Sequence, residues 1–158
     1  MLPDKRTVLH ALRAQLAKEL EAVERVAAMA RDEVGSDETR AEGRYDTRST
    51  EASYLARGQA WRVAELRQLA AWFRNLDPEG APPPDIQVGA LVALEGHREQ
   101  VLFLAPIGGL RAEVEGRVVR VISPVSPLGR GLTGLEVGDE AEIDSPQGRV
   151  TYEVVGLA

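Results

Sequence analysis

The chain has 158 residues, 44% of them hydrophobic, with two histidines, no cysteine and a formal net charge of -6. That is enough apolar content for one ordinary domain or two small ones, and it excludes a disordered chain, disulfides and thiolate chemistry. Residues 1–80 carry 13 basic and 14 acidic side chains and residues 81–158 carry 6 and 11, a balance that excludes a general nucleic-acid surface and favours a basic protein partner over DNA. With only His10 and His97, a histidine-based metal or catalytic site is excluded in practice.

Taken in chain order, the N-terminus MLPDKRTVLH lacks the apolar core of a signal peptide, and no apolar run approaches the roughly 18–20 residues of a membrane span. The expected location is cytoplasmic. Leu9, Leu16, Val23 and Ala30 then recur every seven residues, with Leu12, Leu20, Ala27 and Val34 three or four places on. This is an a/d-type helical stripe. A polar segment from Gly35 through Thr50 follows, longer than the roughly 2–8 residues that suffice to join two packed helices. A second stripe runs through Ala52, Ala56, Val63, Leu66, Ala70 and Phe73, with Leu55, Leu69 and Leu76 beside it. Two stripes of similar length predict an antiparallel α-helical coiled-coil hairpin over residues 1–77, with arms of roughly 27–32 residues and a polar tip around residues 35–50. A helical pair that dimerises is the alternative.

Asp77-Pro78-Glu79-Gly80-Ala81-Pro82-Pro83-Pro84 cannot continue a helix, because proline lacks the amide donor and pushes its predecessor out of the helical region. Residues 78–84 are thus a stiff linker. Beyond it the period becomes two: residues 88–95, 100–106, 117–123, 140–144 and 149–157 read as strands, punctuated by Gly96, Gly108-Gly109, Gly116 and Gln147-Gly148. Between the third and fourth, Ser126 is a helix N-cap, Pro127 suits the first helical position, and Gly134 ends the short helix in a left-handed conformation. The predicted class is α+β: a helical hairpin, then a small antiparallel β-sheet domain with one short helix over residues 85–158.

The stretch from Val121 to Leu157 resembles the C-terminal signature of the Gre family of bacterial transcript-cleavage and elongation factors. Ser126-Pro127, Leu132, Val137-Gly138-Asp139-Glu140, Pro146, Gly148 and Tyr152-Glu153-Val154 fall in the family's order. TEASYLARGQAWRVAEL is similar to the start of the family's second coiled-coil helix, where an acid precedes a tyrosine by three, as Glu51 precedes Tyr54. The resemblance implies a coiled coil that enters the secondary channel of bacterial RNA polymerase and an FKBP-like C-terminal domain that docks on the channel rim. It implies a cytoplasmic monomer that is not itself an enzyme, with no cofactor, no membrane and no sequence-specific DNA binding.

In the family, tip carboxylates help the polymerase hold Mg2+ and an attacking water so that backtracked RNA is cut in the polymerase's own active site. Such chemistry suits carboxylates because Mg2+ takes hard oxygen ligands, usually one or two from protein. The resemblance assigns that role in trans to Glu51, with no metal site of the chain's own, and Asp46, the nearest aspartate, is taken as its partner carboxylate; the resemblance assigns rim docking to Ser126, Pro127 and Leu128. The chain departs from the pattern here: Arg48 stands where the family has an acid, Ala52 where it has an asparagine. On a continuous helix Asp46 and Glu51 do not share a face, so they converge only if Asp46 lies in a loop.

Asp37, Glu38 and Glu42 are spare acids. Asp46 is also suited to capping the second helix, and Glu51 to the helix dipole. Tyr54 and Trp61 are expected to pack, and His97 to lie in a surface turn. Three readings stay open: a cleavage-stimulating channel factor, a channel occupant without cleavage, and a coiled-coil adaptor without a transcriptional role. Peptidyl-prolyl isomerase activity needs an aromatic-lined pocket, and from residue 85 onward the only aromatics are Phe103 and Tyr152.

Overall fold

The computed structural model describes residues 2–40 and 47–158, with side chains described for residues 2–32, 51 and 54–158. Helix α1 spans Lys5–Arg40 and helix α2 spans Thr47–Arg74. Asp4 starts α1: its carboxylate accepts from the Thr7 amide at 3.0 Å and the Thr7 hydroxyl at 2.9 Å, an N-cap geometry. Those two bonds hold its carboxyl below the ordinary aspartate range. Both helices run further into the polar segment than the stripes predict, since residues 35–40 and 47–50 are helical. Polarity alone does not end a helix. Only proline and clustered glycine do so strongly, and the segment has no proline.

Residues 16–71 form one compact unit, and residues 1–15 with 72–158 form the other. In the first, Leu16, Ala27 and Ala30 of α1 and Val63, Leu66 and Leu69 of α2 are buried, as the two stripes predict. Leu55 departs from its stripe and is half exposed. Arg67 pairs with Glu24 at 2.8 Å, and Arg62 lies 3.9 Å from Glu19 and 3.3 Å from Glu65.

The second unit holds a six-stranded sheet: β1 Leu91–Gly96, β2 Gln100–Leu104, β3 Arg111–Val114, β4 Arg117–Ile122, β5 Glu140–Ser145 and β6 Gly148–Leu157, in the order β3-β4-β2-β1-β6-β5. The sheet is mostly antiparallel, as expected, with one exception: β2 and β4 pair in parallel, every other pair being antiparallel. The cause of that pairing is β3, which the sequence reading missed. It reverses the chain once more before β4, through a two-residue turn at Glu115 and Gly116 with φ of 52° and 73°. Positive φ at both positions is the type I′ hairpin geometry.

The sheet is covered on both faces near its centre. On one face Val92, Leu94, Leu102, Leu104, Tyr152 and Val154 pack with Leu132 and Ile143. On the other, Phe103 stacks on Phe73 at 5.7 Å and meets Trp72 edge-on at 6.2 Å. Two-sided burial explains why β1 and β2 read as nearly unbroken apolar runs, whereas β5, with one face wet, alternates. The end of α2 is closed from outside the helix. The Arg13 guanidinium donates to the carbonyls of Phe73 and Leu76, each at 3.1 Å, satisfying acceptors that a helix terminus leaves open.

Helix α3 spans Pro127–Leu132. The Ser126 hydroxyl accepts from the Gly129 amide at 3.0 Å and donates to the Ser123 carbonyl at 2.7 Å. A Cβ on Gly129 would stand 1.9 Å from that carbonyl oxygen, so only glycine lets α3 approach the strand end this closely. Gly134, with φ of 88°, follows the helix as the sequence predicts.

Candidate functional site

Glu51 is exposed on α2, in its second turn. Asp46 and Glu42 lie outside the described residues, as do the side chains of Asp37 and Glu38 on α1. The structure therefore places one of the two carboxylates assigned to the tip and leaves the pairing open. Among the described residues no three acids or histidines converge so as to hold a metal ion. Glu51 is, chemically, a solvated carboxylate at the end of a helix arm, able to donate oxygen ligands to a site that another molecule builds.

Helical spacing puts Glu51 on the same side of α2 as Tyr54, Leu55 and Gly58, with Trp61 continuing the line. The expectation that Tyr54 and Trp61 pack is corrected: they are 67% and 73% exposed. The stripe buried against α1 is filled by Val63, Leu66 and Leu69, and residues 54 and 61 fall outside its arc. The Arg57 guanidinium lies 5.4 Å from the Tyr54 ring centre. On α1, Val26 and Met29 are likewise exposed, at helical spacing from Glu19. Because Glu19 faces Arg62, both exposed sets belong to one flank of the hairpin. Apolar side chains gathered in this way mark a surface suited to contact.

The loop expected to dock is pinned by hydrogen bonds. Ser126 is engaged by its two hydrogen bonds, Pro127 is exposed, and Leu128 is half-buried against the core rather than presented to solvent. Val125, which the sequence reading did not single out, is 70% exposed and supplies apolar surface beside Pro127. Its signal was present: a valine between two Ser-Pro-type turn residues has no strand or helix to bury it. A cleft adjoining the loop is lined by Arg111, Arg120, Ser123 and Ser126. A second, of 310 Å³, is lined by Arg98, Gln100, Arg117, Val118 and Arg120, with Glu95 and Glu99. Neither has an aromatic lining. Phe103 and Tyr152 are buried in the core, so nothing here resembles the aromatic pocket an isomerase needs. His97 is exposed, as expected. Among the described residues no helix is long and apolar enough to cross a membrane.

A family model described as "Transcription elongation factor, GreA/GreB, C-term" matches residues 85–158. The transcription elongation factor GreA of Nitratidesulfovibrio vulgaris is 29% identical over 101 residues, covering 61% of this chain and 59% of that protein. The GreA of Halorhodospira halophila is 33% identical over 96 residues, covering 60% and 59%. The matches thus span about six-tenths of the length of these relatives. The crystal structure of GreA factor homolog 1 from Thermus thermophilus is 21% identical, with a TM-score of 0.42 over 94% of this chain and 95% of that one.

Proposed function

We propose that the chain is a member of the GreA/GreB family, whose C-terminal model matches residues 85–158, and that it is a transcription elongation factor that works on bacterial RNA polymerase. The C-terminal domain docks on the rim of the secondary channel through the Val125–Pro127 surface, and the hairpin enters the channel. Glu51, with Asp46, reaches the polymerase's catalytic centre and helps it hold Mg2+ and water, so that backtracked RNA is cleaved. The chain performs no chemistry alone, because a single solvated carboxylate neither holds a metal nor activates a water without further ligands.

The observation that carries this reading is the family match over residues 85–158. The exposed apolar flank that runs from Glu51 toward Trp61 supports it, since a hairpin that served only to hold the fold together would gain nothing from leaving these side chains in water. A second reading, a channel occupant that does not stimulate cleavage, is favoured by one feature: Arg48 stands one turn before Glu51, where a second carboxylate would be needed for a Mg2+ clamp on one helix face. An RNA-cleavage assay on stalled, backtracked complexes separates the two. Shortened RNA with the wild type, lost with Glu51→Ala, supports cleavage stimulation. Binding to the complex without shortened RNA establishes the occupant, and no binding at all overturns both.

A further inference from the structure

The C-terminal half contains six arginines and no lysine against 11 acids, and four of the six, Arg98, Arg111, Arg117 and Arg120, line two clefts that meet at Arg120. Arg111 and Arg120 are register partners on β3 and β4, so two like charges stand about 5 Å apart at their Cβ atoms, an arrangement that costs stability. Both are exposed. Arg120 donates to the Gln100 side-chain oxygen at 2.8 Å, and neither Arg111 nor Arg120 forms an ion pair among the described residues. Elsewhere in this half, Arg149 is placed between Glu142 and Asp144. Acids were thus at hand to neutralise arginines, and among the described residues none pairs with Arg111 or Arg120.

We propose that Arg111 and Arg120 bind an acidic segment of the protein partner, as the carboxylate-recognising extension of the Val125–Pro127 docking surface. The cleft that holds both arginines also contains Ser123 and Ser126, so one partner segment contacts the loop and the guanidinium pair together. Guanidinium groups grip carboxylates bidentately, in a planar geometry that fixes register. The net acidity of this half, which by itself favours a basic partner, is reversed locally by the clustering. Length decides against nucleic acid: a long polyphosphate track must run past the 11 acids of this half beyond the two arginines, whereas a short acidic segment carries few charges and ends within the cluster. The identity of the partner as RNA polymerase rests on the function proposed above; the chemistry of the site does not.

The test compares wild type, Arg111→Ala/Arg120→Ala and Arg130→Ala, the last removing an exposed arginine on α3 outside both clefts. Binding is measured to core RNA polymerase, to a fluorescein-labelled peptide rich in Glu, Asp and Leu, and to a labelled single-stranded RNA. The double variant is expected to bind polymerase and peptide at least tenfold more weakly, with a flatter salt dependence, while Arg130→Ala stays within twofold and the RNA is not bound. Its Tm should equal or exceed that of the wild type, because a like-charge pair has been removed. Equal binding of polymerase and peptide by wild type and double variant overturns the inference and leaves the function reading standing. Peptide binding lost by the double variant, without polymerase binding by the wild type, supports the site and overturns the polymerase reading. RNA binding that the double variant loses overturns the choice of an acidic protein segment.

Discussion

The two compact units bury their apolar residues to different degrees. At the centre of the sheet, strands β1 and β2 are covered on both faces, and Phe103 sits between them and the aromatic pair Trp72 and Phe73 with no exposed surface. In residues 16–71 one seam of small and branched side chains is buried, while Val26, Met29, Tyr54 and Trp61 stay in solvent on a single flank and Leu55 is half exposed. Among the described residues, the sheet unit buries its large apolar side chains and exposes only valines, Val125 among them, whereas the hairpin unit leaves aromatic and long apolar side chains to be covered from outside. Stability should therefore be concentrated in the first, with large apolar contact surface concentrated in the second and the first docking through the smaller Val125–Pro127 surface.

Substitutions can break or sharpen that contrast. Phe103→Ala should cost about 3–5 kcal/mol, the range for emptying a buried aromatic site, read as a lower chemical-denaturation midpoint at unchanged slope. A loss under about 1 kcal/mol would mean that the aromatic cluster does not hold the sheet unit together. Arg13→Ala should cost about 1–3 kcal/mol, because the Phe73 and Leu76 carbonyls lose their shared donor in a partly buried place. The hairpin should respond in the opposite sense. A Cβ on Gly58 meets nothing within 4 Å, so Gly58→Ala should stabilise the protein by roughly 0.5–1 kcal/mol through helix propensity. If it also weakens polymerase binding, the open space at Gly58 serves the partner rather than the fold.

The smallest expected effect is electrostatic. The Asp4 carboxyl is held below the ordinary range by its bonds to Thr7. Its folded pKa being depressed, its contribution is present above the unfolded aspartate value of about 3.9 and is lost as pH falls through the folded pKa. Acid titration of stability should show this component in the wild type and lack it in Asp4→Asn. An identical acid limb in both proteins would remove the cap from the account.

Much of this was legible in the chain because the governing forces are local. The heptad stripes located the buried seam of both helices, and Ser126-Pro127 with Gly134 located α3, since capping and glycine geometry act within a few residues. Strand β3 was hidden because only four residues form it and two of them, Arg111 and Glu113, are charged. The parallel pairing of β2 with β4 was hidden with it, as direction depends on counting every reversal. The exposure of Tyr54 and Trp61 was misjudged because a spacing of seven identifies a shared face and not which face is covered. The arginine pair was out of reach altogether, for Arg111 and Arg120 become neighbours only through strand register.

The function proposed for the hairpin requires its tip to reach the polymerase's catalytic centre. The chain has no cysteine, so Glu51→Cys creates a unique attachment point for an iron chelate that generates hydroxyl radicals, and the bound polymerase can be mapped for the cuts it receives. Cuts are expected in polymerase segments surrounding the catalytic Mg2+, and they should disappear when an unlabelled excess of the wild-type protein is added. Cuts confined to the outer surface of the polymerase, or none above the label-free control, would contradict that placement of the tip.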